Sequence, residues 1–213
     1  MNLNERFLVL DGGMGTMLQA RGLQLGGVPE LWNLQRPDDI TAIHRAYVEA
    51  GADVVYSNTF GANRLKMERT GHTVQELIPA AIKNARASGA RYVALDIGPI
   101  GHMLEPTGTL SFEEAFDIFR EEIEAGKDAD IIVFETMSDL LEVRAGLLAA
   151  REFGGGKPVF VTMSFEENGR TFTGCSISSM ALTLEGLGAD AIGVNCSLGP
   201  EELAPIVEEL CRW

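Results

Sequence analysis

The 213-residue sequence predicts an α/β domain built on a parallel sheet, from three observations. Short, almost wholly apolar runs alternate with amphipathic stretches of helical period. The runs lack the polar-out alternation of a sheet with one wet face, and glycines gather at the joints between segments.

Taken in order, the elements form six β-then-α units. FLVLD (Phe7–Asp11) is apolar up to its final carboxylate and reads as the first strand; Pro37 with Asp38 and Asp39 opens a helix predicted over Asp38–Ala50. DVVYSNT (Asp53–Thr59) is β-branched and aromatic, and a helix follows over Thr73–Ser88. YVALDI (Tyr92–Ile97) leads to Ser111–Ala125, where Ser111 stands ready to cap early amides and Glu113 and Glu114 favour the positive helix end. DIIVFET (Asp130–Thr136), VFVTMSF (Val159–Phe165) and DAIGVNC (Asp190–Cys196) precede helices over Leu140–Phe153, Ser178–Leu187 and Glu201–Leu210. GADVV, DADII and GADAI recur where a helix hands over to a strand, and read as a shared turn rather than a duplication. Six units fit either an open doubly wound sheet or a (β/α)8 barrel missing its last quarter.

Charge and composition narrow the function. With 17 basic and 31 acidic side chains the formal net charge is −14, which disfavours nucleic acid or an anionic membrane as main partner. MNLNERFLVLDGG lacks the build of a signal peptide, no apolar run reaches membrane-spanning length, and Cys175, Cys196 and Cys211 suit free thiols. A cytoplasmic protein is expected.

The strand ends carry the chemistry. Asp11, Asn58 with Thr59, Asp96, Glu135 with Thr136, Ser164, and Asn195 with Cys196 are all sent to one rim of a parallel sheet, where α/β enzymes keep their sites. In DGGMGT, Asp11 can hold a cation while Gly12 and Gly13 expose amides to an anion, a pairing that suits a free amino acid. The spacing matches neither GxGxxG nor a P-loop. Glu135 closes a strongly apolar run, where a carboxylate is costly unless paired or used. It either shares an ammonium with Asp11, acts in proton transfer, or bonds structurally. Asp96, before Gly98-Pro99, serves a site or a turn. Cys196 enters a Gly-Pro turn as a metal ligand, a nucleophile or a packed thiol, and of His44, His72 and His102 only His102 is expected near that rim.

The ordered segments VLDGGMGT, GADVVYSNTFGANRLKM, LDIGP, IIVFETMSDLLEVRA, FEENGRTFTG and GVNCSLGPEEL resemble the homocysteine-binding domain of cobalamin-dependent methionine synthases, within the homocysteine S-methyltransferase family. The resemblance implies a TIM barrel, here one incomplete domain over residues 1–213, that methylates homocysteine to methionine. It implies a zinc ion held by three cysteine thiolates, one of them Cys196 of GVNC; the family's GGCCG pair is absent from these residues. It carries the homocysteine ammonium onto Asp11 and Glu135 and the carboxylate onto amides near Gly12 and Gly13. Asn58, Asp96 and Asn195 complete the expected substrate-binding set. Cys175 lies on the correct side, and Cys211 is expected as a core thiol. Methylcobalamin is the implied methyl donor, held by a cobalamin-binding module and regenerated by a folate-binding one. The alternatives are a free-standing methyltransferase with another donor and an inactive fragment. Unpaired sheet edges are expected to promote self-association.

Overall fold

The computed structural model describes residues 7–213. Five parallel strands form one sheet: β1 (Val54–Tyr56), β2 (Tyr92–Ile97), β3 (Ile131–Met137), β4 (Val159–Met163) and β5 (Ala191–Val194). Their spatial order is the chain order. A doubly wound sheet reverses its order part-way, so of the two architectures open to the sequence this sheet follows the barrel one. The α-helices of the described residues are α1 (Met14–Ala20), α2 (Trp32–Gln35), α3 (Pro37–Glu49), α4 (Arg64–Met67), α5 (Val74–Ala87), α6 (Phe112–Ala125), α7 (Leu140–Phe153), α8 (Ile177–Gly186) and α9 (Pro200–Leu210).

Alternation along each strand sorts the core into two layers. Val55, Leu95, Phe134 and Val161 face outward and pack with Ile78, Ile118, Phe119, Leu147 and Leu184 of the helices. Val54, Ala94, Ile131, Val133 and Phe160 face the other way and are joined by Leu8, Tyr56 and Tyr92, all from strands and the amino-terminal segment. Phe119 meets Phe134 edge-on at 5.5 Å. Gly146 lets α7 close on that pair, because a Cβ there would stand 2.5 Å from the Phe134 ring.

Local chemistry sets the helix boundaries. Ser111 accepts the Glu114 N–H at 3.1 Å to start α6, as its sequence predicts. Thr73 and Glu76 form a reciprocal capping box at α5, Asp139 caps α7 and Ser176 caps α8.

The recurring aspartates have a role that the sequence did not reveal. Asp53, Asp130 and Asp190 each precede a strand and accept a backbone N–H from the neighbouring strand or segment: Val9 at 3.1 Å, Val93 at 2.8 Å and Val159 at 2.8 Å. They lace the amino-terminal rim of the sheet.

Two expectations need correction. Phe7–Asp11 is not a full strand: it makes a single parallel bridge, Leu10 to Val54, and Phe7 is 98% exposed. Its backbone is tied to Asp53 and β1 through Val9 and Asp11. Cys211 is exposed rather than a core thiol, because α9 ends before it and turns its last residues outward. No helix of the described residues is long and apolar enough to cross a membrane.

Candidate functional site

A cavity of about 360 Å³ opens at the carboxyl ends of the strands. Asp11, Gly12 and Gly13 form one lip, Tyr56, Asp96, Glu135 and Thr162 line it from β1 to β4, and Asn195 and Cys196 form the opposite lip. A second cavity, about 330 Å³, lies at the start of α5. Its polar groups are largely spent on one another, Glu121 meeting both Arg64 and Gln75.

Each side chain has a local reason to be there. Gly12 lies against Tyr47, where a Cβ would sit 3.2 Å from the ring, and the Tyr47 hydroxyl donates to the Gly13 carbonyl at 3.0 Å. Asp11 accepts the Tyr56 N–H at 3.0 Å, which orients its carboxyl beside β1. Tyr56, Asp96 and Thr162 follow the inward alternation of β1, β2 and β4.

In β3 the alternation breaks. Phe134 pairs with Val161 and Met137 with Met163, so Glu135 and Thr136 together oppose Thr162. Such a bulge lets two consecutive side chains address one rim. Thr136 sits at φ 59°, and Cys196 and Ser197 at 59° and 58°. Left-handed backbone at non-glycine residues costs about 1–3 kcal/mol each, most for a β-branched one. The described residues with this strain that are not glycine all lie at this one lip.

Burial dominates the electrostatics. It pushes the Asp11 carboxyl up to about 7, against the pull of the Tyr56 N–H, and the Glu135 charge pushes the same way. Burial likewise lifts Glu135 to about 7. Asp96, 6% exposed, is driven well above the usual carboxylate range by burial and then by Glu135 and Asp11. Asp96 Oδ1 and Thr162 Oγ1 are buried without a hydrogen-bond partner. Among the described residues the cavity therefore gathers three carboxyl groups with no basic side chain in its lining, an arrangement suited to a cationic group.

Seven of the eight residues proposed from sequence line this cavity: Asp11, Gly12, Gly13, Asp96, Glu135, Asn195 and Cys196. Asn58 does not. Its side chain donates to the Pro29 carbonyl at 2.8 Å and its backbone carbonyl accepts from Asn33 at 2.7 Å, so its polar groups anchor α2 and the segment before it. Tyr56 and Thr162 were missed; strand alternation two residues inward from the strand ends is the signal that marks them. Cys175, half-buried, donates its thiol to the Ser176 carbonyl and is not part of the lining. His102 is exposed and also stands outside it.

A family model described as homocysteine S-methyltransferase matches residues 8–213. The chain belongs to that family. Methionine synthases of Mycobacterium tuberculosis and Mycobacterium leprae are 35% and 34% identical to it over 99% of its length. The chain spans 19% of the length of each of these relatives. Crystal structures of the homocysteine methyltransferase MmuM from Escherichia coli share its fold. The metallated form gives a TM-score of 0.84 at 23% identity, covering 98% of this chain and 81% of that one, and the apo form gives 0.78. The fold is that of the (β/α)8 barrel family, of which five parallel strands with their helices are described here.

A three-thiolate zinc site does not fit these residues by themselves. Cys196 is the one thiol at the cavity, and among the described residues no group of three or more His, Cys, Asp and Glu side chains is placed to hold a metal ion.

Proposed function

We propose that this chain binds homocysteine by its amino-acid end and presents the sulfur for methylation to methionine, as the homocysteine-binding part of a methionine synthase. One observation carries the reading: Asp11, Glu135, the Gly12-Gly13 turn and Cys196 line a single cavity. The ammonium lies between the Asp11 and Glu135 carboxyls, whose burial makes them strong partners for a cation. The carboxylate meets the Gly12-Gly13 turn, and the sulfur reaches the Cys196 lip. Fixing both ends of a small substrate lowers the entropy cost of aligning its sulfur. The 35% identity to the Mycobacterium tuberculosis methionine synthase favours this reading over a free-standing enzyme.

In the fuller reading Cys196 is one zinc ligand, and the remaining thiolates, methylcobalamin and the folate- and cobalamin-binding modules come from outside these residues. The free thiols Cys175, Cys196 and Cys211 suit a cytoplasmic setting.

Calorimetric titration tests the substrate assignment. Homocysteine is expected to bind at least tenfold more tightly than 4-mercaptobutanoate, which lacks the ammonium, on the order of one charge-assisted hydrogen bond. Equal affinities would reject the roles given to Asp11 and Glu135.

A further inference from the structure

We infer that Thr136 is a positioning residue for the sulfur end of the cavity: its hydroxyl, aimed by Asn195, holds the Cys196 sulfur at the rim beside Glu135. The hydrogen bonds give the direction. The Thr136 backbone N–H donates to Asn195 Oδ1 at 3.0 Å, which fixes the orientation of that amide. Asn195 Nδ2 must then face the other way, and it donates to Thr136 Oγ1 at 2.9 Å. With Oγ1 accepting there, its own proton is free to point to the Cys196 sulfur, 3.6 Å away.

The backbone supports the same assignment. A regular β3 would send Thr136 to the helix side, where Met137 packs instead; the bulge and the left-handed Thr136 turn it to the rim. Asn195 Nδ2 also faces Glu135 Oε2 at 3.4 Å and the Cys196 sulfur at 3.6 Å. One amide thus ties the ammonium-binding carboxyl of β3 to the thiol after β5. Asn195 acts through Thr136 and Cys196 rather than mainly on the substrate.

The inference rests on the homocysteine reading of the cavity, and one experiment separates the two. Cys196 attacks homocystine, the disulfide of homocysteine: a Cys196–homocysteine disulfide forms, the original S–S bond breaks, and one homocysteine leaves as its thiolate. The same exchange is run with neutral 2-hydroxyethyl disulfide, and peptide mass spectrometry follows Cys196, with exposed Cys211 as the internal reference. The rate ratio of the two reagents cancels intrinsic thiol reactivity and reports alignment.

Wild type is expected to favour homocystine at Cys196 by about tenfold and to show no preference at Cys211. T136V, which keeps the β-branch but lacks the hydroxyl, should bring the Cys196 ratio down to that of Cys211, and T136S should restore it. If T136V does not fold, T136G removes the hydroxyl while relieving the left-handed strain. A wild-type ratio retained in T136V, or lost equally in T136S, would overturn the positioning role while leaving the cavity reading intact. No preference in wild type would remove the cavity reading and this inference with it.

Discussion

The two rims of the sheet use carboxylates in opposite ways. At the amino-terminal rim Asp53, Asp130 and Asp190 each accept a neighbour's backbone N–H. Burial alone would raise Asp130, but Arg86 at 2.6 Å and the Val93 N–H outweigh it and hold the carboxyl below its usual range. At the carboxyl-terminal rim Asp11, Asp96 and Glu135 are pushed upward by burial, and one another's charge adds to the rise of Asp11 and Asp96. A strand-end carboxylate is structural where donors surround it. Where other carboxyls surround it, the arrangement suits a cation.

The largest expected effect breaks that contrast at the upper rim. D11N or E135Q should weaken homocysteine binding roughly ten- to a hundredfold by calorimetry, since each removes a charged partner of the ammonium. At the lower rim, D130A should cost about 1–2 kcal/mol of unfolding free energy in a urea titration and leave affinity within about twofold.

A pH series sharpens the comparison. Glu135 and Asp11 titrate near 7 in the fold, above their ordinary 4.5 and 3.8, so the native state holds their protons more tightly. Their contribution is complete below about pH 4 and is lost as pH rises through 7. His44 opposes them: burial lowers it from 6.5 to about 4, so its contribution is complete above pH 6.5 and is lost as pH falls toward 4. E135Q should therefore raise the melting temperature at pH 8 and leave it nearly unchanged at pH 4. The smallest effect belongs to T162V, which removes an unpartnered buried hydroxyl and should raise the unfolding free energy by about 1 kcal/mol.

The sequence made the repeating frame legible because burial imposes periodicity. Tyr92–Ile97 and Leu140–Phe153 have the bounds expected of them, and Ser111 announced its cap. The ends of β1, β4 and β5 were read too long. Ser57, Asn58 and Thr59 leave β1 for a turn in which Thr59 N–H donates to the Ser57 carbonyl, a geometry that β-branched composition does not disclose. Helix α1 was hidden by the glycines of GGMGT, whose low helix propensity reads as loop. At the site, residue type and position brought Asp11, Asp96, Glu135 and Cys196 to one rim, yet no pattern distinguished Asn58, whose side-chain amide is spent on Pro29 and whose backbone carbonyl is taken by Asn33. The β3 bulge was equally invisible, because it depends on register against β4 rather than on any residue of its own.

The carboxyl-rich cavity has a thermodynamic consequence. Near neutral pH its acidic groups are partly protonated, and an arriving ammonium favours their charged forms, so occupation expels protons into the medium. The apparent enthalpy of complex formation will then change with the ionisation heat of the buffer, and the slope of that dependence counts the protons released.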